Sequence, residues 1–415
     1  MTHRILALLV AAFALAIAPI ANQPTTPDLA LVGAKIYPSP TAPPIDVGTV
    51  IIHAGRIQTV GTTAAIRIPA GTAMLDCQGL VVTAGFWNNH VHILTPGLLE
   101  ARESPATGLQ PELDTLFNRW GFTTVFDLAS VLDNTVALKH RIESGELRGP
   151  RILTTGEPIW TIEPVYIRNF LEAHRLSFPN STTSEQALAL VRDHVAKGVN
   201  GIKLFTGSYQ GNGKVEALPL AIARAAVTEA HGHRLPVFAH PQDATGVDVA
   251  IDSGVDVLAH TVPQSPAWDQ AYVQRLRRAN LALIPTLTLF DVEARKDGTS
   301  DRERDAWIAR MVDELRAYSK AGGDILFGTD VGYTDHYETG LEFILMSRAG
   351  MTYRDVLASL TAAPAAKFGD ANRGRIENGM DADLVVLRAD PARDPGAFAK
   401  VSYTIRQGVV TYRAP

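Results

Sequence analysis

The chain has 415 residues, enough for two or three ordinary domains or for one large barrel with a smaller domain attached. Its 38 Lys and Arg nearly balance its 43 Asp and Glu, and a net charge of −5 lacks the basic surplus of a nucleic-acid-binding protein. The 46% hydrophobic content excludes a disordered chain. The single cysteine, Cys77, excludes an intramolecular disulfide and a multi-cysteine zinc site. A bound metal would therefore use His, Asp, Glu or a modified side chain.

The first 21 residues have the order of an export signal. His3 and Arg4 precede an apolar run, rich in Ala and Leu, that extends from residue 5 to residue 20. At about 16 residues this run is shorter than the ~20 that a transmembrane helix needs. We therefore expect a signal peptide at residues 1–21, cleaved after Ala21, and an exported, periplasmic or secreted protein without a stable membrane anchor.

Short β-branched runs, separated by Gly and Pro, lie at both ends of the remaining chain. They occupy residues 29–37, 48–53 and 55–60, and again residues 383–387 and 401–412. This pattern predicts antiparallel strands. We expect residues 22–82 and 371–415 to pair into one small β-sandwich domain.

Between these ends, at residues 83–370, strand-like runs alternate with helix-like ones such as 184–197 and 217–231. Eight such runs spread over about 250 residues are typical of a (β/α)8 TIM barrel, an α/β fold. A doubly wound open sheet is the competing fold, but no Gly-rich phosphate loop follows the first strand. The predicted strands are 80–86, 123–127, 151–154, 201–205, 235–239, 255–259, 281–287 and 324–328.

Side chains able to bind a metal occur at the ends of several predicted strands. Residues at positions i and i+2 of a strand point to the same face, so His90 and His92 can share one ion. Because active sites of these barrels lie at the carboxyl ends of the strands, the other candidates are expected at the same place. They are Lys203, His240, His260 and Asp330.

Each of these residues is a weak signal alone, since a histidine near a strand end is more often structural. Their joint occurrence at one end of the barrel is far less frequent by chance. Imidazole and carboxylate are suitable ligands for zinc and related divalent ions. The sequence therefore predicts a metal site without thiolates.

The chain resembles the amidohydrolase superfamily, specifically its imidazolonepropionase-like and prolidase-like branch. The matching segments are residues 85–92, 201–205, 238–240, 257–260, 327–330 and 374–386, which together sample nearly the whole chain after the signal. Two positions depart from the family pattern. Asn88 stands where the family often has Asp, and Phe238 stands where prolidase-like members often have a first histidine.

The resemblance implies two divalent metal ions, with zinc expected. By it, His90, His92 and Asp330 would hold the more buried ion, and His240 and His260 the second. Lys203 would carry a CO2-derived carbamate that bridges the two ions. An ammonium has no lone pair, whereas a carbamate has two anionic oxygens and forms from a neutral amine, which burial favours. An unmodified Lys203 beside a single metal is the alternative.

The resemblance also implies hydrolysis of an amide, in a non-peptide or dipeptide-like substrate, by a metal-bridging hydroxide with Asp330 as general base and then acid. Ester, lactone or phosphotriester hydrolysis on the same site stays open. A one-metal deaminase is less favoured because no Glu soon follows His240. A serine nucleophile lacks its Gly-x-Ser-x-Gly motif. A non-catalytic binding module would be expected to have lost a ligand, and none is missing.

Loops after the strands should line the pocket for a small-molecule substrate. The expected lining residues are Tyr166, Tyr209, Phe290, Tyr333 and His336, with Trp160 a further aromatic candidate. Arg168 is a candidate partner for a substrate carboxylate, although an ordinary surface role is the simpler interpretation. A homo-oligomer is left open.

Overall fold

Residues 28–262 and 264–415 are described by a computed structural model of the chain, so the predicted signal at residues 1–21 lies outside the described residues. None of the helices in this part is long and apolar enough to cross a membrane. The strands are β1 Leu29–Ile36, β2 Ile45–His53, β3 Arg56–Thr62, β4 Ala73–Asp76, β5 Val81–Ala84, β6 Phe86–Val91, β7 Phe122–Asp127, β8 Arg151–Thr154, β9 Ile202–Phe205, β10 Gly207–Tyr209, β11 Val215–Ala217, β12 Val237–His240, β13 Val257–Ala259, β14 Ala282–Ile284, β15 Asp324–Ile325, β16 Leu384–Leu387, β17 Val401–Arg406 and β18 Val409–Arg413.

The helices follow the barrel strands or connect them, and several begin with a side-chain cap. Thr183 and Gln186 form a capping box at the start of α4 (Ser184–Ala196), as do Ser300 and Glu303 for α9 (Asp301–Lys320). Two 3₁₀ helices lie at Asn118–Trp120 and Pro395–Ala399. The α-helices are α1 Ala106–Leu116, α2 Leu132–Glu143, α3 Val165–Ala173, α4 Ser184–Ala196, α5 Leu220–Gly232, α6 Ala244–Ser253, α7 Gln270–Arg278, α8 Leu287–Lys296, α9 Asp301–Lys320, α10 Gly340–Arg348, α11 Tyr353–Leu360 and α12 Ala362–Lys367.

The small β-sandwich domain is built from both ends of the described chain, as predicted. Its strands run in the order β18-β17-β16-β5-β1-β2-β3, with β4 paired to β1. The antiparallel pair β5–β16 joins the strands from the two ends of the chain, and in it Val82 lies opposite Val386. The domain has its own core, which includes Leu31, Ile52 and Ile405.

The eight parallel strands of the (β/α)8 barrel form two arcs, β6-β7-β8 and β9-β12-β13-β14-β15. Ile159, which follows β8, joins the arcs on one side: its N–H donates to the Lys203 carbonyl at 2.8 Å and its carbonyl accepts from Phe205 N–H at 2.9 Å. On the other side, His92 N–H donates to the Val331 carbonyl at 2.8 Å. These bonds close the cylinder and confirm the predicted fold.

Strand alternation decides which side chains enter the barrel. On β12, Val237 and Ala239 pack outward into the core shared with the helices, whereas Phe238 packs inside against Phe126 at a ring separation of 4.7 Å. His240 lies two residues beyond Phe238 and therefore faces the same way. Apolar packing fills the lower barrel and leaves the carboxyl end for polar side chains.

Two predicted elements differ from the structure. The first barrel strand is β6, not the run at 80–86, because Val81–Ala84 pairs into the β-sandwich as β5. Gly85 separates the two strands where a Cβ would lie 2.2 Å from Thr123 Oγ1. The helix predicted at 217–231 begins at Leu220, after Pro219, because the preceding residues 215–217 form a hairpin with β10.

A network of buried charges joins the barrel to the β-sandwich. Arg373 contacts three carboxylates, those of Asp370 at 3.0 Å, Asp381 at 2.6 Å and Asp383 at 2.9 Å. Arg151, the first residue of β8, also contacts Asp370 at 2.6 Å. The side chains of Arg373, Asp370 and Asp381 are each about 10% exposed, so solvent screens this network weakly.

We expect Arg373→Gln to lower the free energy of unfolding by about 3–5 kcal/mol, because it leaves buried carboxylates without their cation. Urea unfolding followed by circular dichroism measures the loss. The matched control is Arg375→Gln, since Arg375 lies two residues away and pairs with Glu377 at the surface. We expect the control to change stability by no more than about 0.5 kcal/mol. Equal losses in the two variants would contradict a special role for the network.

Candidate active site

Six side chains meet at the carboxyl end of the barrel. His90 is on β6, with His92 just after it, while Lys203 is on β9 and His240 ends β12. His260 and Asp330 follow β13 and β15. All six line one cavity of about 520 Å³. The structure thus brings together every residue of the predicted metal cluster.

Asp330 lies at the centre of this cluster. Its Oδ1 is 2.8 Å from His92 Nε2 and 3.3 Å from His90 Nε2, and its Oδ2 is 3.8 Å from His260 Nε2. His90, His260 and Asp330 each offer one ligand atom within 4.8 Å of the others. The His240 ring lies 4.9 Å from that of His260, which extends the cluster to the side of Lys203.

Backbone carbonyls decide which nitrogen of two histidines carries the hydrogen. His92 Nδ1 lies 3.2 Å from the Ala129 carbonyl, which can only accept. The Thr286 hydroxyl donates to the Pro285 carbonyl at 2.9 Å, so it accepts from His260 Nδ1 at 2.6 Å. Both rings therefore carry hydrogen on Nδ1 and direct the lone pair of Nε2 towards Asp330.

His240 is held differently. Its Nε2 lies 3.0 Å from Gln242 Oε1 and 3.3 Å from the Tyr166 hydroxyl. Because an amide oxygen only accepts, Nε2 carries the hydrogen and Nδ1 keeps the lone pair. Phe205 stacks on the ring at a separation of 4.7 Å and restricts its orientation.

Asn88 connects the first and last barrel strands beneath the cluster. Its Nδ2 donates to Thr329 Oγ1 at 2.7 Å, and its Oδ1 accepts from Thr329 N–H at 3.2 Å and His90 N–H at 3.3 Å. It thereby positions the backbone beside His90 and Asp330. A carboxylate at this position could not make the donated bond.

Several residues around the cluster adopt left-handed backbone conformations that side chains other than glycine rarely take. Their φ angles are +94° at Ala129, +59° at Gln242, +86° at His260, +45° at Thr286 and +61° at Asp330. Such conformations cost free energy and persist where the surrounding structure requires them. Here each one lies beyond the carboxyl end of a barrel strand.

Burial holds three of the histidines neutral and makes the charge of Asp330 depend on its neighbours. Burial, assisted by Lys203, holds the pKa of His90 and His260 well below the ordinary range and lowers the pKa of His240 to about 4. Burial acts to raise the pKa of Asp330, whereas positive charge on the neighbouring imidazoles holds it well below its usual value, so an ionised Asp330 requires positive charge beside it. The cluster thus presents lone pairs together with a negative charge.

These donors fit divalent cations. His92 Nε2 and Asp330 Oδ1 face each other at 2.8 Å, and either a proton on this nitrogen or a bound cation must offset the repulsion between its lone pair and the carboxylate. Within the described residues, His90 Nδ1 and Asp330 Oδ1 are also buried without a hydrogen-bond partner. Neutral imidazole and carboxylate are the ligands that zinc accepts.

Lys203 is the sixth member of the cluster and is only 1% exposed. Burial lowers the pKa of its ammonium to about 7, against the opposing effect of Asp330. A substantial fraction of the amine is therefore neutral near physiological pH. That is the form that reacts with CO2.

The walls of the cavity contain most of the predicted substrate residues. Tyr166, Tyr209, Phe290 and Tyr333 line it, as does Trp160. His336 does not line the cavity. It lies further along the chain from β15 than Asp330 does, and its Nε2 has no hydrogen-bond partner among the described residues.

Other lining residues were not expected from the sequence. Phe205 lies two residues after Lys203 on β9, so strand alternation alone would have placed it at the site. Gln242 lies two residues after His240, but its position depends on a left-handed backbone. Gln264, Glu293 and Trp307 reach the cavity from loops and helices that carry no local signal.

Known proteins share this architecture. The sequence model for the amidohydrolase family matches residues 184–412. A dihydroorotase from Clostridium acetobutylicum is 23% identical, with coverage of 84% of this chain and 91% of that protein. The crystal structure of a Bifidobacterium longum protein assigned as a prolidase has a TM-score of 0.78 and 29% identity over 94% of this chain and 96% of its own. A Xaa-Pro dipeptidase structure with bound methionine has a TM-score of 0.80 and 21% identity, covering 93% and 100%.

The fold and the cluster define a barrel hydrolase of the type that holds its metal with histidines and a carboxylate. The chain belongs to the amidohydrolase family. Its prolidase-like structural neighbours confirm the resemblance first seen in the sequence.

We expect Thr286→Val to weaken metal binding by about 10- to 100-fold, because His260 loses the acceptor that orients its ring. Competition with a chromophoric chelator measures the affinity for zinc. The control is Thr124→Val, which removes a buried threonine hydroxyl that has no hydrogen-bond partner in the part of the chain that the structure describes. If both variants bound zinc like the wild type, the hydroxyl would not position His260.

Proposed function

We propose that this protein is a two-metal hydrolase that cleaves an amide bond. The observation that carries the proposal is the convergence of four histidines, Asp330 and Lys203 on one buried cavity, with His92 Nε2 2.8 Å from Asp330 Oδ1. The dihydroorotases and prolidase-like structures among the relatives support metal-dependent amide hydrolysis in general.

His90, His92 and Asp330 would hold one ion, and His240 and His260 the other. Lys203, as a carbamate, would supply an oxygen to each. Divalent ions bound there lower the pKa of a coordinated water towards ~7 and polarise a carbonyl. Zinc is the expected metal, because the donors are nitrogen and oxygen without thiolate.

Residues of the chain would then transfer the proton and donate a hydrogen bond beside the substrate. Asp330 is ionised and buried, so it can accept a proton from the attacking water and return it to the leaving nitrogen. Tyr166 lies 3.3 Å from His240 Nε2, and burial raises the pKa of its phenol, so it stays protonated as a donor beside the substrate.

We expect the zinc-reconstituted protein to hydrolyse amides faster than the matched esters and lactones, relative to the uncatalysed rates. A panel of matched amide, ester and phosphotriester substrates, compared by kcat/KM, measures this. Chelation should abolish turnover and zinc should restore it. A protein that bound metal but cleaved only esters or phosphotriesters would contradict the proposal and support the alternative activities.

Lys203→Ala tests the bridge. We expect metal content, measured by plasma mass spectrometry, to fall from about two ions per chain to about one or fewer, with a loss of kcat of at least about 100-fold. Lys197→Ala is the matched control, because Lys197 forms only surface pairs with Asp133 and Asp193. Unchanged turnover in Lys203→Ala would exclude both the bridge and the mechanism.

The pKa of Lys203 at about 7 predicts a pH dependence of activation. Only the neutral amine reacts with CO2, so carbamate formation should rise with pH through this value and fall below it. At saturating zinc and equal dissolved CO2, we expect CO2 to increase the rate of reactivation about tenfold more at pH 8 than at pH 6. Reactivation without added CO2 at each pH is the baseline. Equal effects of the same dissolved CO2 at both pH values would show that Lys203 is not the group activated.

A further inference from the structure

Two aromatic walls face each other across the metal cluster. On one side, Phe205 stacks on His240 and meets Trp160 at a ring separation of 5.2 Å, with Phe178 beyond it at 6.1 Å. On the other side, Phe290 lies 6.4 Å from the His260 ring and 5.6 Å from that of Trp307. A bond held at the cluster would therefore have an apolar surface on both sides.

The walls of the cavity contain few cations. In the described residues, no Arg lines the cavity, and Lys203 in the metal cluster is its only Lys. Besides Asp330 in the cluster, two carboxylates line it, Glu293 and Asp297, which lie four residues apart at the end of α8 and so face the same side. Outside the metal cluster, the described lining residues thus offer carboxylates and no cationic side chain to an anionic group.

The nearest candidate cations already have acidic or polar partners. Arg168 donates to Glu163 Oε1 at 3.3 Å and to Gln210 Oε1 at 3.2 Å, and it does not line the cavity. Lys296 is paired with Glu293 at 3.3 Å. Away from the metal ions, a substrate carboxylate would have to break one of these pairs or stay buried without a cationic side chain, and both are costly.

We propose that the substrate is an uncharged amide with aromatic or branched aliphatic groups on both sides of the scissile bond and no carboxylate beside it. This inference rests on the proposed amide hydrolysis and narrows it, because it disfavours dipeptides and N-acyl amino acids. The cavity volume of about 520 Å³ lies in the range of pockets that bind small molecules. Glu293 and Asp297 act as the residues that reject anions, and the aromatic walls supply the binding surface.

Matched substrates that differ only in the carboxylate test this directly. One pair is N-phenylacetyl-L-phenylalanine and N-phenylacetyl-2-phenylethylamine, which share every group except the acid. The full chain, reconstituted with zinc and bicarbonate, is assayed on several such pairs. We expect kcat/KM for the neutral member to exceed that for the acid by at least about tenfold, mostly through KM.

The variant Glu293→Gln combined with Asp297→Asn should raise kcat/KM for the acid several-fold and narrow this ratio. Glu216→Gln, a change on exposed strand β11, is the matched control and should leave the ratio unaltered. Arg168→Gln should also leave the ratio unaltered. A selective loss of activity on the acid in Arg168→Gln would identify a carboxylate site and overturn the inference.

The outcomes distinguish failure of the proposed substrate class from failure of the proposed amide hydrolysis. Acids cleaved as well as or better than their neutral partners would overturn the substrate class while leaving amide hydrolysis intact. No turnover of any amide by protein shown to hold its metals would remove the proposed function, and the substrate class with it.

Discussion

The site depends on one electrostatic constraint: lone pairs and a negative charge are concentrated in a buried space. Asp330 receives the free nitrogens of His92 and His260, because both rings have their hydrogen committed elsewhere, to Ala129 and Thr286. Burial holds the pKa of His90, His240 and His260 low, so these imidazoles do not supply the missing positive charge as protons. A bound cation can supply it, which links the fold to the metal-dependent hydrolysis proposed above.

Buried side chains outside the cavity hold the residues of the cluster in this unfavourable arrangement. Glu342, buried on α10, accepts hydrogen bonds from the N–H groups of Leu287 at 2.9 Å and Thr288 at 2.7 Å. That contact secures the start of α8 immediately after Thr286, which in turn orients His260. Asn88 performs a similar task between the strands that carry His90 and Asp330. Residues that never touch substrate thus determine the ligand geometry.

The walls above the cluster distinguish this protein from what its relatives alone would suggest. Several relatives are named for substrates that carry a carboxylate, such as Xaa-Pro dipeptides. Here the cavity presents aromatic rings and the acids Glu293 and Asp297. Under the proposed substrate class, fold and metal chemistry are shared while charge selection differs, because the barrel strands hold the cluster and the loops and helices that follow them form the cavity walls.

Local signals in the sequence were sufficient to predict the barrel, the split β-sandwich and the six residues of the cluster, because strand alternation and position at strand ends are short-range properties. They also predicted Tyr166 and Phe290 in the cavity. Tertiary structure alone decided that Val81–Ala84 joins the β-sandwich, since that choice depends on pairing with β16, some 300 residues away. It also excluded His336 from the cavity lining, committed Arg168 to Glu163 and brought Glu293 and Asp297 to the cavity wall. Those outcomes depend on how whole helices pack, which no local pattern of residues records.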